Sequence, residues 1–133
     1  MKVYLDTNVL VSAFTARGLC ADLVRVLLAE HELMTGEVNL AELRRVLVGR
    51  FGASAALASG VESQLRDQTV VAKPRAVGII SVRDSDDAWV LASALASDAE
   101  IFVTGDQDLL SLAELVALPI VTPRVAWERL RTG

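Results

Sequence analysis

The sequence is poor in the residues that form disulfides and soft-metal sites. Its 133 residues include one cysteine, Cys20, and one histidine, His31. A single cysteine excludes an internal disulfide and a cysteine-based zinc site, and it fits a reducing, intracellular compartment. His31 lies between two glutamates, which favours a solvated side chain over a catalytic one.

Positive charge is also scarce. The chain has two lysines, Lys2 and Lys73, and its 13 basic residues face 17 acidic ones, for a net charge of −4. A protein that coats nucleic acid through general electrostatic attraction should be basic. The composition therefore excludes that mode of binding.

Long uninterrupted apolar runs are missing as well. Residues 88–96 form one of the longest apolar stretches, which is well short of a membrane span. Asp6 is not expected in the apolar region of a signal peptide. Hydrophobic residues nevertheless make up 53% of the chain, and the mean hydropathy is +0.43, which excludes a disordered regulator. We expect one domain over residues 1–133 with a substantial core.

What the chain does contain is an alternation of strand and helix patterns. The pattern predicts strands over residues 2–5, 32–34, 68–72, 100–103 and 120–121, with residues 79–82 as an edge or strand-like stretch. Helices are predicted over residues 8–14, 21–29, 37–48, 55–66, 85–97, 108–115 and 124–131. Strands separated by helices indicate a parallel α/β sheet. Such sheets place their sites outside the carboxyl ends of the strands.

Carboxylates follow two of these strands directly. Asp6 ends the first strand, and Asp106, with Asp108 two residues on, follows Val103. Each alone reads most simply as a turn or cap residue. Two carboxylates at the ends of matching strands favour a cation site. Bringing two negative charges together costs electrostatic free energy unless a cation offsets it.

Two helices add further acids. Glu42 borders the apolar face of its predicted helix, where a carboxylate that reaches out to solvent is the simpler interpretation. Asp84, Asp86 and Asp87 begin the helix that contains Trp89, where capping and the helix dipole favour them. Asp86 and Asp87 both lie on apolar ridges, so periodicity does not choose between them.

An oxygen-rich cluster without histidine or cysteine suits Mg²⁺ or Mn²⁺. That metal chemistry is typical of phosphoryl or phosphodiester transfer. It also lets an acidic protein act on an anionic substrate, because the metal inverts the local field.

Four segments of the chain resemble the motifs of PIN-domain nucleases, both in their order and in their spacing. They are VYLDTNVL around Asp6, LAELRRVL around Glu42, DDAWVLA around Asp87 and TGDQDLL around Asp106. Each motif is short, but the ordered set spans nearly the whole chain. The chain is similar to the toxin-type, VapC-like subgroup of small prokaryotic PIN proteins.

The resemblance implies a fold and an activity. The fold would be a three-layer α/β/α arrangement with a central parallel sheet of about four or five strands. The activity would be that of a Mg²⁺- or Mn²⁺-dependent endoribonuclease, in which a metal-activated water attacks the RNA and leaves a 5′-phosphate and a 3′-hydroxyl. A cognate antitoxin protein, a homodimer and a cytoplasmic location are further expectations.

Site residues follow from the resemblance position by position. Asp6, Glu42, Asp87 and Asp106 would be the catalytic, metal-binding carboxylates, and Asp108 a further metal ligand. Asn8 and Thr104 would orient carboxylates or waters around the metal, although turn capping explains both equally well. Among scattered arginines, Arg17 is the best candidate for contacting RNA phosphates.

Several alternatives stay open. One is a non-catalytic binding module that retains the fold, and another is a housekeeping RNA-processing nuclease that is not a toxin. A phosphoaspartyl enzyme is disfavoured, because the position two residues after Asp6 holds Asn8 and the last lysine is Lys73. Trp89 and Trp127 lie at helical spacing among apolar residues, which favours core packing or a subunit interface over base stacking.

Overall fold

Five short strands and seven α-helices alternate along the chain in this computed structural model, which describes residues 1–78 and 80–132. The strands are β1 (Lys2–Leu5), β2 (Glu32–Gly36), β3 (Thr69–Val71), β4 (Ile101–Val103) and β5 (Ile120–Val121). The helices are α1 (Thr7–Thr15), α2 (Leu19–Glu30), α3 (Glu37–Gly49), α4 (Ala55–Arg66), α5 (Ser85–Ala96), α6 (Gln107–Leu110) and α7 (Pro123–Thr132). A single 3₁₀ turn, Ala113–Leu115, follows α6.

All five strands pair in parallel, in the order β3-β2-β1-β4-β5. The first strand is therefore central, with β2 on one side and β4 on the other. Leu5 pairs with Val103 in the register of β1 and β4, so that the residues after these two strands emerge side by side. The predicted α/β class with a parallel sheet of four or five strands is confirmed.

Alternating side chains of the sheet divide the core into two layers. Val3 and Leu5 point into a cluster with apolar side chains of α1, α2, α3 and α7. Tyr4, between them, points to the opposite face and packs with Phe102 and with side chains of α5. The period-2 alternation of a strand sends successive residues to opposite faces. Helices therefore cover both faces, which gives the expected three layers.

Two predicted elements were wrong. The helix predicted over residues 108–115 is divided into α6 and the 3₁₀ turn, with Ser111 as the C-cap of α6 and its hydroxyl bonded to the Asp108 carbonyl. In the stretch predicted over residues 79–82, Ile79 lies outside the described residues and the other three are not in a strand. Ile80 and Val82 pack their side chains on the α5 face of the core instead of pairing their backbone with the sheet.

The other predicted elements are present, with ends shifted by at most two residues. Over residues 1–78 and 80–132, no helix has both the length and the apolar character that crossing a membrane requires.

Candidate metal centre

Four elements bring acidic residues to the carboxyl edge of the sheet. Asp6 follows β1 and Asp106 follows β4, and these strands are neighbours. Asp87 lies in the first turn of α5, and Glu42 lies in the middle of α3. The site is therefore built by the parallel topology, because elements far apart in sequence end at one edge.

Asp6 is almost completely buried and is held by three hydrogen bonds. Its Oδ1 accepts from the backbone N–H of Thr7 at 2.8 Å. Its Oδ2 accepts from the Thr104 hydroxyl at 2.6 Å and from the Asn8 amide at 3.0 Å. Burial raises the pKa of Asp6 to about 6, with further increases from the charges of Glu42 and Asp106, although the bonds from Thr104 and Thr7 oppose the shift.

Thr104 and Asn8 connect Asp6 to the loop that carries the next acid. The Thr104 oxygen accepts a hydrogen bond from the backbone N–H of Asp106 at 3.0 Å. Asn8 Oδ1 accepts from the backbone N–H of Gly105 at 3.1 Å. These bonds fix the loop after β4 against the start of α1, so the positions of Asp6 and Asp106 are linked.

Asp106 has two roles in the local structure. It is the N-cap of α6, where its Oδ1 accepts from the backbone N–H of Asp108 at 2.8 Å. It also lies beside Asp87, and the three acids Asp87, Asp106 and Asp108 each offer an oxygen within 4.8 Å of the others. Such a group of half-buried carboxylates has the spacing that one bound cation requires.

Asp87 shows the electrostatic cost of this arrangement. Its pKa is raised to about 7, first by burial, then by a hydrogen bond with Asp106 and by the charges of Asp106 and Asp6. A neighbouring negative charge disfavours ionisation, whereas a cation would favour it. A cation bound to this cluster would therefore offset the repulsion between its carboxylates.

The remaining predicted residues lie around this group. Glu42 and Asp6 are outside the set of three, although both are near enough for their charges to raise the pKa of a neighbour. Asp86 is exposed and lines a separate cavity beside Trp89, so the structure places Asp87, not Asp86, with the other acids. Arg17 is exposed between α1 and α2 and does not line the cavities that border Glu42.

A buried polar network behind the acids was not predicted. The Tyr4 hydroxyl donates to Asn39 Oδ1 at 2.6 Å and also lies 2.6 Å from the Ser93 hydroxyl. Asn39 Nδ2 in turn donates to the Thr7 hydroxyl at 2.9 Å. These four side chains are all buried, and they join β1, α1, α3 and α5, the elements that carry or precede Asp6, Glu42 and Asp87.

The sequence held a signal for this network, namely a polar residue among the apolar positions of α3. Asn39 directly precedes Leu40 and lies one turn before Leu43, both of which are in the core. Buried polar side chains need hydrogen-bond partners. The identity of those partners depends on which helix faces which, and that is not a local property.

Gly36 allows these elements to approach. A Cβ added at this position would overlap the Ser93 and Tyr4 hydroxyl oxygens. Its backbone is in an ordinary extended conformation with φ of −132°, so the requirement for glycine is one of space. Any larger residue would displace the network.

The fold and this site together define the class of the protein. It is an α/β protein with a cluster of carboxylates, without histidine or cysteine, at the carboxyl ends of its central strands. The sequence matches the family model of the PIN domain over residues 2–108, and the chain therefore belongs to the PIN domain family. A search of curated proteins gave no significant match.

A solved structure gives the same fold. One of its chains superposes on this protein with a TM-score of 0.65. The structure is the crystal structure of VapBC2 from Rickettsia felis bound to a DNA fragment from the VapBC2 promoter. The two chains are 16% identical, and the alignment covers 92% of this chain and 98% of that one. At this identity the likeness concerns the fold.

Proposed function

We propose that the protein is a Mg²⁺- or Mn²⁺-dependent endoribonuclease and the toxin of a toxin–antitoxin pair. The observation that carries the nuclease proposal is the convergence, in a PIN domain, of acids from four separate elements on one edge of the sheet. Asp6, Glu42, Asp87 and Asp106 are the proposed catalytic carboxylates, and residues 1–133 are proposed to act as one domain.

The donor chemistry fits a hard divalent cation. The groups that would hold it are carboxylates, with Asp87, Asp106 and Asp108 nearest to one another and Asp6 and Glu42 beside them. Mg²⁺ and Mn²⁺ prefer such oxygen ligands. A divalent cation in this position supplies Lewis acidity toward a phosphodiester and lowers the pKa of a water molecule.

The chain's own residues prepare the site for that cation. Thr104, Asn8 and the Thr7 amide fix both oxygens of Asp6, so this carboxylate needs no reorientation when a ligand binds. The burial that raises the pKa of Asp6 also keeps solvent away from its oxygens.

The toxin assignment has separate support. The chain in the VapBC2 structure has the same fold, and that protein is a complex of two components bound to promoter DNA. By analogy we propose a cognate antitoxin partner, a homodimeric state and a cytoplasmic location for this protein.

Cleavage of a mixed RNA pool tests the enzymatic proposal. The wild type with Mg²⁺ or Mn²⁺ should yield products with a 5′-phosphate and a 3′-hydroxyl on end sequencing, and EDTA should prevent cleavage. Asp6→Asn should abolish it. Asp67→Asn, which changes an exposed carboxylate after α4, is the matched control and should cleave normally. Equal cleavage by the Asp6→Asn variant would contradict the proposal.

A growth experiment tests the toxin assignment independently. Induced expression of the wild type should arrest bacterial growth, whereas the Asp6→Asn variant should not. Co-expression of a small adjacent gene product should restore growth. Normal growth with an active nuclease would leave the enzyme assignment intact and exclude the toxin role.

A further inference from the structure

Two cavities border Glu42, and each extends away from the acidic centre between a different pair of helices. The Trp89 cavity, of about 210 Å³, lies between α3 and α5 and is lined by Val38, Ala41, Arg45, Lys73, Asp86 and Trp89, among others. The Phe51 cavity, of about 330 Å³, lies between α1 and the end of α3 and is lined by Asn8, Ser12, Thr15, Val46, Arg50 and Phe51, among others. Glu42 is common to both.

Each cavity holds an aromatic ring with a cation over it. The Lys73 ammonium lies 4.8 Å from the centre of the Trp89 ring, and the Arg50 guanidinium lies 5.7 Å from that of Phe51. In the described part of the chain, these are the two cation–π pairs. Their coincidence with the two cavities beside Glu42 is the observation that carries the inference.

The cations of the two cavities, including Arg45, have no acidic partner in the part of the chain that the structure describes. Over residues 1–78 and 80–132, Arg45, Arg50 and Lys73 form no ion pair, whereas Arg44 and Arg66 nearby are paired with Glu62 and Glu37. In a chain with 17 acids against 13 bases, unpaired cations beside an acidic centre are available to an anion. Their long side chains can also leave the ring when another flat group takes their place.

Aromatic rings and unpaired cations are the groups that single-stranded nucleic acids require. A base stacks on the ring, and the cation neutralises the backbone phosphate. The two cavities have room for a flat base, and both border Glu42, one of the four proposed catalytic acids.

We propose that the Trp89 and Phe51 cavities bind the nucleotides on the two sides of the scissile phosphodiester in a single RNA strand. This inference rests on the proposed nuclease function and deepens it. One base stacks on Trp89 with Lys73 and Arg45 toward the backbone, and the other stacks on Phe51 with Arg50 toward the backbone. The strand thereby crosses the acidic centre.

The acids of the Trp89 cavity do not oppose this assignment. Glu37 is engaged by Arg66 through two hydrogen bonds of 2.8 Å each. Asp86 is exposed, so water and salt screen its charge. The sequence favoured core packing or a subunit interface for Trp89. Core packing does not describe its position, because the ring lines the cavity and is only partly buried.

Binding of a labelled single-stranded oligoribonucleotide, followed by fluorescence anisotropy, tests the proposal. The measurement is made in the Asp6→Asn background with Mg²⁺, so that the strand stays intact. Trp89→Ala and Phe51→Ala should each raise Kd by about 5- to 100-fold, the range expected for loss of one stacked base. Lys73→Gln and Arg50→Gln should also raise Kd.

Control variants separate stacking from general effects. Trp89→Phe and Phe51→Trp keep a flat ring and should restore most of the affinity. Leu115→Ala and Arg129→Gln change exposed residues outside both cavities and should leave Kd within about twofold. Circular dichroism of each variant identifies any that fail to fold, and Lys73→Gln, at an exposed position, then provides the test for the Trp89 cavity.

Two readouts report the contact itself. In a Trp127→Phe variant the remaining tryptophan is Trp89, and its fluorescence should be quenched by RNA. Single bases of the oligonucleotide can also be replaced by abasic sites. At one position, the loss of the base should make Trp89→Ala and its parent bind equally well, because the stacked base is already missing. For Phe51→Ala this position should be a different one.

Distinct outcomes overturn distinct claims. If the wild type cleaves RNA but both alanine variants bind it as tightly as their parent, the two cavities are not part of the strand path, and the nuclease assignment stands. If the Phe51 cavity binds a peptide instead of RNA, Phe51→Ala should bind RNA as tightly as its parent. If the wild type cleaves no RNA with either metal, the proposed function itself fails.

Discussion

Asp87 illustrates the chemistry of the centre at the scale of single residues. It makes no hydrogen bond to a backbone N–H among the described contacts, and its pKa is raised by burial and by the adjacent carboxylates. Its neighbour Asp86 differs by one position on the same helix, yet it is exposed and lies in the Trp89 cavity. A rotation of about 100° along the helix therefore separates two chemically identical side chains.

This contrast gives a matched pair of variants. Asp87→Asn should weaken Mn²⁺ binding by roughly 10- to 100-fold or more, because it replaces a charged carboxylate by a neutral amide with a single oxygen donor. Asp86→Asn should leave Mn²⁺ affinity nearly unchanged. Isothermal titration of both variants with Mn²⁺ measures the difference, and a larger loss in Asp86→Asn would reverse the assignment of the third acid.

At the scale of elements, the centre depends on how closely β1, α3 and α5 approach. The Tyr4 hydroxyl bonds to Asn39 of α3 and to Ser93 of α5, and Gly36 leaves the space that this contact needs. The bonds are buried, so their loss leaves polar groups without partners, which costs about 1 to 3 kcal/mol for each group. The same contacts set the distance between the helices that carry Glu42 and Asp87.

Two glycine substitutions test this packing. Gly36→Ala should lower the free energy of unfolding by about 1 to 3 kcal/mol or more, because the new methyl group overlaps Tyr4 and Ser93. Gly60→Ala, within α4 and open on all sides, should raise it by about 0.5 to 1 kcal/mol through helix propensity.

Urea denaturation of the two glycine variants and the wild type measures both effects. Gly36→Ala should in addition weaken Mn²⁺ binding, because the displaced network moves α3 and α5. Equal stability of the two variants would show that the elements can separate without cost.

At the scale of the whole molecule, the excess of acid is concentrated where a cation can offset it. Without the four proposed catalytic acids, 13 acidic residues remain against 13 basic ones. The rest of the chain is therefore balanced. The net negative charge excludes general electrostatic attraction to nucleic acid. It is compatible with binding of one phosphodiester by a metal ion together with the cations that line the two cavities at Glu42.

This charge distribution predicts how the stability of the metal-free protein depends on pH. The pKa of Asp6 rises from 3.8 in the unfolded chain to about 6, and that of Asp87 to about 7. The folded state thus binds more protons than the unfolded state between about pH 4 and pH 7, so the free energy of unfolding falls as pH rises through this window. Glu37 and Asp98 have lowered pKa values, so their opposite effect lies at and below the acidic end of this window.

Thermal unfolding in EDTA measures the effect. Between pH 5 and pH 8, Asp6 alone accounts for a loss of about 1.4 kcal/mol, because its pKa of about 6 means that part of its effect lies below pH 5. Tm should therefore fall by roughly 5 °C over this range. Mn²⁺ should raise Tm more at pH 8 than at pH 5, because it binds the ionised carboxylates. Asp87→Asn should reduce the pH dependence, and a Tm that increases toward pH 8 without metal would contradict the electrostatic description of the centre.

The sequence by itself determined the order of strands and helices and the parallel α/β class. Those features follow from local alternation and helical periodicity, which each segment expresses without its neighbours. The same logic placed Asp6 and Asp106 at one edge, since parallel strands end on the same side. The prediction of one helix over residues 108–115 was wrong, because α6 ends at Leu110 with Ser111 as its C-cap and a separate 3₁₀ turn follows.

The tertiary structure decided everything that depends on which faces meet. It placed Asp87 rather than Asp86 beside Asp106, joined Tyr4 to Asn39 and Ser93, and left Trp89 at the wall of a cavity. These outcomes depend on the rotation of each helix and on its distance from the sheet, and long-range packing sets both. Helical periodicity carries no such information, because the same helix can turn either of two apolar ridges toward the core. For Asp87, only the resemblance of its motif had favoured it over Asp86.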